Sequence, residues 1–440
     1  ASLVGSEMCI RDRMKVSFLQ NNFLQKLSVY TISSYINKAI PFLMLPILTN
    51  YLSTDEYGEV SMFLALINLL VAVFGLSIEG ALMRKFYDKG ESFPAVLFNY
   101  LFLLISSFSV CSVLFVIFSS EIATYSGVSV QYLAAAVLSS FFSVACYCVN
   151  SLHQVEGKAA AYAIFTNGWS FLNTLLSIIL VVFFSLGVAG RVYGIAISTI
   201  LMGIVGILLL CKNGIILSID KNLISEELMV FGLPMLPMNL RGTILGFTDK
   251  LFIANIIGLS AAGVYTVGNQ LAMVIDVFVR SIALAYTPWV YAKLQDESHE
   301  SLKKIVRLTY TLILVIIIVS FLWIAVARLA STLLISSDYE DAFVYLNWLV
   351  ACNGILGVQL LLVNFVYYSK KTKLYSLLST FSIFLNVFLN YAFITTRGAI
   401  GAAQATLAVY ATTLLFTVLI VYKQYKQIPW FTIFIRHESK

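Results

Sequence analysis

Apolar runs long enough to cross a bilayer recur along almost the whole chain, and few folds tolerate that. A hydrocarbon core of roughly 30 Å needs about 20 mostly apolar residues in helical form. Twelve such spans are read at 27–52, 59–82, 93–119, 129–152, 158–186, 190–211, 227–257, 262–288, 306–330, 341–368, 373–396 and 399–422. Inside lipid every backbone polar group has to be satisfied within the protein, so these spans fold as helices. The period-two alternation of an outer-membrane barrel is absent. With 60% hydrophobic and 11% charged residues over 440 positions, and a mean hydropathy of +0.90, the composition excludes a soluble domain.

The loops orient the spans. Leaving aside residues 1–13 and counting residues at span ends with the adjoining loops, 19 Lys and Arg fall with the N-terminal segment, alternate loops and the C-terminal tail, against only Arg191, Arg328 and Arg397 on the other side. That bias places both termini in the cytoplasm. Residues 1–13, ASLVGSEMCIRDR, lack the pattern of a signal peptide and are read as a non-native leader before a start at Met14. An N-terminal six-helix lobe at 14–211, a cytoplasmic linker at 212–226, a C-terminal six-helix lobe at 227–422 and a cytoplasmic tail at 423–440 follow.

The two lobes echo each other. Leu48-Thr49-Asn50-Tyr51-Leu52 with Tyr57-Gly58-Glu59-Val60 matches Ile253-Ala254-Asn255-Ile256-Ile257 with Ala262-Gly263-Val264-Tyr265, 205 residues apart. Gly187-Val188-Ala189-Gly190 likewise resembles Gly398-Ala399-Ile400-Gly401. An even number of spans per half makes these parallel repeats about an axis along the membrane normal. The fold class expected is an all-α polytopic membrane protein, about twelve helices in two lobes around a central cavity.

Charges inside the spans point to function, because each costs roughly 2.5–3.5 kcal/mol at mid-membrane on insertion scales and so faces protein or water. The stretch Phe231 to Tyr265 alone carries Arg241, Asp249 and Lys250. Lys38 and Arg280 complete the cations; Glu79 and Asp276 complete the acids. Asp276 and Arg280 stand at i,i+4 and pair on one helix face. Arg241 and Asp249, two turns apart, share a cavity without touching. Lys38 and Arg241 then lack a local partner, so the cavity is net positive and suits an anionic group such as a diphosphate. Lys38, Arg241, Arg280 and Lys250 are the substrate-binding candidates. Asp249, Asp276 and Glu79 are the coupling-ion candidates. Polar stripes add Ser34, Asn68, Asn269, Asn386 and Asn390 as cavity-lining residues, although hydrogen-bonded helix packing explains such stripes equally well. Pro41 and Pro46 in the first span, and Pro234 and Pro237 at the start of the seventh, permit kinks. Six cysteines and three histidines show no metal-ligand spacing, and no basic block suggests nucleic acid.

From Met14 onward the chain resembles the polysaccharide (O-antigen or capsule repeat-unit) flippases of the multidrug/oligosaccharidyl-lipid/polysaccharide exporter superfamily. The residues carrying the likeness are Leu233-Pro234-Met235-Leu236-Pro237, Thr248-Asp249-Lys250-Leu251-Phe252-Ile253, Gly263-Val264-Tyr265, Pro46-Ile47-Leu48 with Tyr57-Gly58, and Gly401-Ala402-Ala403-Gln404-Ala405-Thr406. Lys250 stands where the family commonly has Arg, which keeps the charge and loses the forked donor. The resemblance implies a non-enzymatic carrier of the bacterial inner membrane that moves undecaprenyl-diphosphate-linked oligosaccharide across the bilayer by alternating access. It also implies no cofactor beyond a proton or sodium gradient, with a polysaccharide polymerase and a chain-length regulator as partners. A multidrug antiporter would want an acidic, aromatic cavity. A peptidoglycan-precursor flippase fits the basic cavity as well. A membrane polysaccharide polymerase needs an extracytoplasmic loop larger than any in this chain.

Overall fold

The computed structural model describes residues 28–75, 82, 86, 93–212, 233–296, 298–369, 371–425 and 428–430. The N-terminal lobe holds α1 (Ser28–Tyr51), α2 (Thr54–Gly75), α3 (Phe93–Ile117), the short α4 (Ser119–Ser126), α5 (Val130–Val155), α6 (Ala159–Ile178) and α7 (Gly187–Lys212). The C-terminal lobe holds α8 (Leu233–Ile256), α9 (Leu259–Asp296), α10 (His299–Leu329), the short α11 (Ser331–Leu334), α12 (Ala342–Tyr368), α13 (Thr372–Arg397) and α14 (Ile400–Gln424). Twelve of these are long, and eleven are both long and apolar enough to span a membrane. The twelfth, α8, falls short on composition because it carries Arg241, Asp249 and Lys250 within ten residues.

Local chemistry sets the helix ends. Ser53 and Glu56 form a capping box at the start of α2: the Ser53 N–H donates to Glu56 Oε2 at 2.8 Å, and the Glu56 N–H donates to Ser53 Oγ at 3.3 Å. Ser298 caps α10 by accepting from the Ser301 N–H. The Gly-x-x-Gly echoes do matching jobs. Gly187, the first residue of α7, and Gly398, in the turn before α14, take φ of +53° and +68°. A Cβ on Gly190 would lie 2.8 Å from the Leu180 backbone, and one on Gly401 would lie 2.3 Å from the Phe393 backbone. These are close-packing glycines.

Packing repeats between lobes. In the first lobe α2 packs on α5, α5 on α7, and α7 on α6; in the second α9 packs on α12, α12 on α14, and α14 on α13. The lobes meet where the first sequence echo lies. A Cβ on Gly58 would sit 2.0 Å from the Leu259 carbonyl oxygen, and a Cβ on Gly263 would sit 2.2 Å from the Thr54 carbonyl oxygen. The two copies of the motif therefore press against each other, each glycine on the other lobe's helix start. Side chains seal the same end. Tyr339 donates to the Leu52 and Ser53 carbonyls at 2.8 Å each, the Ser336 N–H donates to Thr49 Oγ1 at 3.2 Å, and Ser260 donates to Thr54 at 2.8 Å.

Two expectations are revised. The eighth span does not end near 288: α9 continues through Pro288 to Asp296, since a single proline removes one intrahelical hydrogen bond without ending the helix. Helix α1 likewise runs through Pro41 and Pro46. Arg191, counted with the outer loops, lies in the first turns of α7 and is buried. Glu79, residues 1–13, most of the linker and most of the tail lie outside the described residues.

Candidate functional site: an interlobe lysine and a buried carboxylate cage

Lys38 faces the C-terminal lobe. With Tyr35 and Phe42 from α1, and Gln270, Met273 and Val277 from α9, it lines an interlobe cavity of about 240 Å³. Tyr35 crosses the same gap to hydrogen-bond Ser281. Lys38 is half-buried and forms no ion pair among the described residues, although the charges of Asp276 and Arg280 reach it. Those two pair as their spacing predicts: Arg280 Nε donates to both Asp276 carboxylate oxygens at 2.7 and 2.9 Å. Arg280 keeps an exposed guanidinium.

Asp249 is buried in the C-terminal lobe, and four neutral donors surround it. Asn390 Nδ2 donates to Oδ1 at 2.7 Å and Asn386 Nδ2 at 3.3 Å; Thr406 donates to Oδ2 at 2.8 Å and Tyr265 at 3.1 Å. They come from α13, α14 and α9. The stripe Ser379, Ser382, Asn386 and Asn390 turns this face of α13 inward, all four at or below 1% exposure. Both amide oxygens, Asn386 Oδ1 and Asn390 Oδ1, are buried without a partner. This desolvated carboxylate is held by neutral donors, beside two orphan amide oxygens, and forms no ion pair among the described residues, although the charge of the neighbouring Lys250 reaches it. Half a turn of either amide exchanges its nitrogen for its oxygen. The carboxylate, the two amides, Thr406 and Tyr265 then form a cage of hard oxygens suited to a small hard cation.

Arg241 corrects the picture of a cation beside Lys38. It is buried inside the C-terminal lobe, where Nη2 donates to Thr413 at 3.2 Å and the guanidinium lies 5.7 Å from the Tyr410 ring centroid. Its Nε has no partner, and it has no ion pair among the described residues. Its neighbours Thr413 and Tyr410 lie on α14, the helix that also brings Thr406 to Asp249, so both charges are held against α14 in the interior of the C-terminal lobe. That interior belongs to the lobe and not to the gap between lobes. Lys250 is half-buried without a hydrogen bond or ion pair among the described residues; Gly242 and Gly246, two turns and one turn before it, adjoin open space. Ser34 and Asn68 are exposed and Asn269 is half-buried, none of them hydrogen-bonded to a described residue.

The N-terminal lobe inverts the charge of the cage. Asn173 and Ser177 occupy on α6 the places that Asn386 and Asn390 occupy on α13, counted from each helix start. There the Arg191 guanidinium donates to Asn173 Oδ1 at 2.7 Å and to Ser177 Oγ. One lobe thus carries a built-in cation where the other holds a bare carboxylate. Arg191, Thr406 and Tyr265 escaped selection from sequence as site residues. Thr406 and Tyr265 stand at the ends of recognised motifs, which was the available signal.

Known proteins match this architecture. The family model described as "Polysaccharide biosynthesis protein" covers residues 23–295, and the MatE model covers residues 234–392. Two Haemophilus influenzae proteins are similar over most of their length. An uncharacterized membrane protein is 25% identical over 87% of this chain and 91% of its own, and "Lsg locus putative protein 1" is 24% identical over 82% and 88%. Among solved structures, an inward-facing multidrug resistance MATE transporter aligns with TM-score 0.72 at 16% identity, over 91% of this chain and 98% of that one. The lipid II flippase MurJ, inward closed, aligns at 0.70 and 14% identity, over 95% and 94%. An outward-facing MATE transporter aligns at 0.55 and 17% identity, over 92% and 96%. With the family model spanning more than half of the sequence, the chain belongs to the polysaccharide biosynthesis protein family, and it is a multi-pass membrane protein with the fold shared by MATE transporters and MurJ.

Proposed function

We propose that the chain is a flippase for lipid-diphosphate-linked oligosaccharide repeat units. It carries them across the bacterial inner membrane for O-antigen, capsule or exopolysaccharide assembly. The observation that carries this reading is Lys38: a lysine without an ion pair among the described residues, set in an interlobe cavity, is a receptor for a negative headgroup. Arg280 supports it from the facing lobe, and Lys250 from the open face of α8. Arg241 acts from within the C-terminal lobe, polarising Tyr410 and Thr413 without contacting substrate.

By the charge bias of the loops both termini are cytoplasmic, so the sealed end at Gly58 and Gly263 faces the periplasm. The headgroup enters from the cytoplasm, and the lobes rock to release it outward. The lipid tail stays in the bilayer. Energy comes from a cation, sodium or a proton, bound at Asp249 among Asn386, Asn390, Thr406 and Tyr265. Occupying the cage removes a buried unpaired charge and so biases the packing of α8 against α13 and α14. Asp276 is committed to Arg280 and is the weaker coupling candidate.

Depletion in a polysaccharide-producing host tests the reading. Loss of the flippase traps single lipid-linked repeats on the cytoplasmic side, and wild-type protein restores export, whereas an inserted Lys38→Glu protein does not. Accumulation of single repeats on the outer side would indicate a polymerase instead. Rescue of peptidoglycan synthesis, with no effect on surface polysaccharide, would move the substrate to a peptidoglycan precursor, which shares the diphosphate.

A further inference from the structure

A second cavity, of about 410 Å³, lies inside the N-terminal lobe between α1, α5 and α6. Its volume falls in the range of roughly 300–1,000 Å³ usual for small-molecule sites. Amides, hydroxyls and aromatic rings line it, and no carboxylate, ammonium or guanidinium does. Asn37, Asn150, Ser151 and Gln154 supply donors and acceptors; Tyr147 and Trp169 supply ring faces, with centroids 5.7 Å apart at 59°.

Much of this polar wall is held in place. Asn37 donates to the Ser33 carbonyl at 2.8 Å and to Asn167 Oδ1 at 2.6 Å, and accepts from Ser170. Thr166 donates to Asn150 Oδ1 at 2.8 Å, and Trp169 Nε1 donates to Thr199 at 3.3 Å. Other groups are unused. Asn150 and Ser151 are each 8% exposed, yet Asn150 Nδ2 and Ser151 Oγ have no hydrogen-bond partner among the described residues. Arg191 stands behind Asn173 and does not reach the wall. Buried amides and hydroxyls with free valences invite a ligand rich in hydroxyls. Aromatic faces suit the C–H surface of a sugar ring.

The position fits as well. The cavity lies along the first half of α1 and the last turns of α5, the end opposite the Gly58–Gly263 seal. Asn37 is the immediate chain neighbour of Lys38, which lines the interlobe cavity. We propose that this N-lobe cavity is a saccharide subsite, which takes an uncharged mono- or disaccharide of the substrate while Lys38 holds the attached phosphate. The proposal rests on the flippase reading and adds to it a place and a chemistry for the sugar.

Three soluble probes test it on the purified full-length protein: farnesyl diphosphate, the same diphosphate carrying N-acetylglucosamine, and the same carrying glucuronic acid. The N-acetylglucosamine conjugate binds at least tenfold tighter than bare farnesyl diphosphate. Ser151→Leu, which fills the cavity, abolishes that increment and leaves the affinity for farnesyl diphosphate unchanged. The sugar quenches tryptophan fluorescence in the wild type, and Trp169→Phe removes the quench; this second readout stands if Ser151→Leu fails to fold. Equal binding with and without the neutral sugar, an increment that survives both variants, or an equal increment for glucuronic acid overturns the subsite. Failure of all three probes to bind overturns the flippase reading instead.

Discussion

Substituting Gly58 with alanine tests how the lobes close. The new Cβ would lie 2.0 Å from the Leu259 oxygen, 2.7 Å from its carbonyl carbon and 3.2 Å from its Cα, all backbone atoms that cannot rotate aside. Ordinary contact begins near 3.4 Å, so α2 and the start of α9 must part by about 1.4 Å. Overpacking of this kind costs about 1–3 kcal/mol. Here the cost falls on the sealed state alone, because the open state separates the two helices. At about 1.4 kcal/mol per factor of ten, the sealed-to-open ratio falls roughly 5- to 150-fold. Spin labels at Tyr51 and Ile257, both exposed near this end, report it by pulsed electron–electron resonance in a cysteine-free background. The wild type gives one short distance; Gly58→Ala adds a longer population, and Gly263→Ala does the same from the other lobe. An inserted Gly58→Ala protein with an unchanged distance distribution would refute the view that these glycines form the seal.

Further outcomes follow from the same contacts. Tyr339→Phe removes two hydrogen bonds to α1–α2 carbonyls and shifts the same label distances toward the open form by about 1–3 kcal/mol. Burial pushes the Tyr339 hydroxyl up from its ordinary range, so it stays a neutral donor and the sealed fraction is flat between about pH 6 and 9 for this bond; a transition in that window that vanishes in Tyr339→Phe would contradict this. Sodium at a hundredfold excess over its Kd stabilises the wild type by about 2.7 kcal/mol in thermal unfolding, and Asp249→Asn abolishes the effect while the protein remains folded; if a proton couples instead, the sodium effect is absent and Asp249→Asn removes pH-driven transport. Lys38→Arg retains export and Lys38→Ala loses at least tenfold, as measured by surface polysaccharide per inserted carrier.

What the sequence revealed follows from which signals are local. Hydropathy is summed over about 20 residues, so the helices of both lobes stood out wherever charge was sparse. The echo of Gly58 and Gly263 was legible as similarity; that the two copies touch each other is a property of the axis between them and could not be read from either alone. Asn386 and Asn390 were picked by periodicity, and Asp249 by the expense of its charge, but their meeting across α8 and α13 is tertiary. Arg241 was misplaced because periodicity gives a face without saying whether it looks into the lobe or into the gap. Arg191, beside Gly187 and Gly190, was counted with the outer loops because it stands at the edge of the sixth span. In the structure these glycines begin a helix and let α7 approach α6 closely enough for the guanidinium to reach Asn173.

Helix α9 runs unbroken for 38 residues, about 57 Å, nearly twice the thickness of a hydrocarbon core. Gly263 lies near one end, Gln270 and Asp276 toward the middle, and Lys293 near the other. A rod of this kind cannot yield at the seal alone: a tilt that frees Gly263 from Thr54 sweeps the Lys293 end in the opposite sense. In the proposed rocking cycle, stiffness along this single element would let one mouth of the carrier open only as the other closes, with no signal passed from residue to residue.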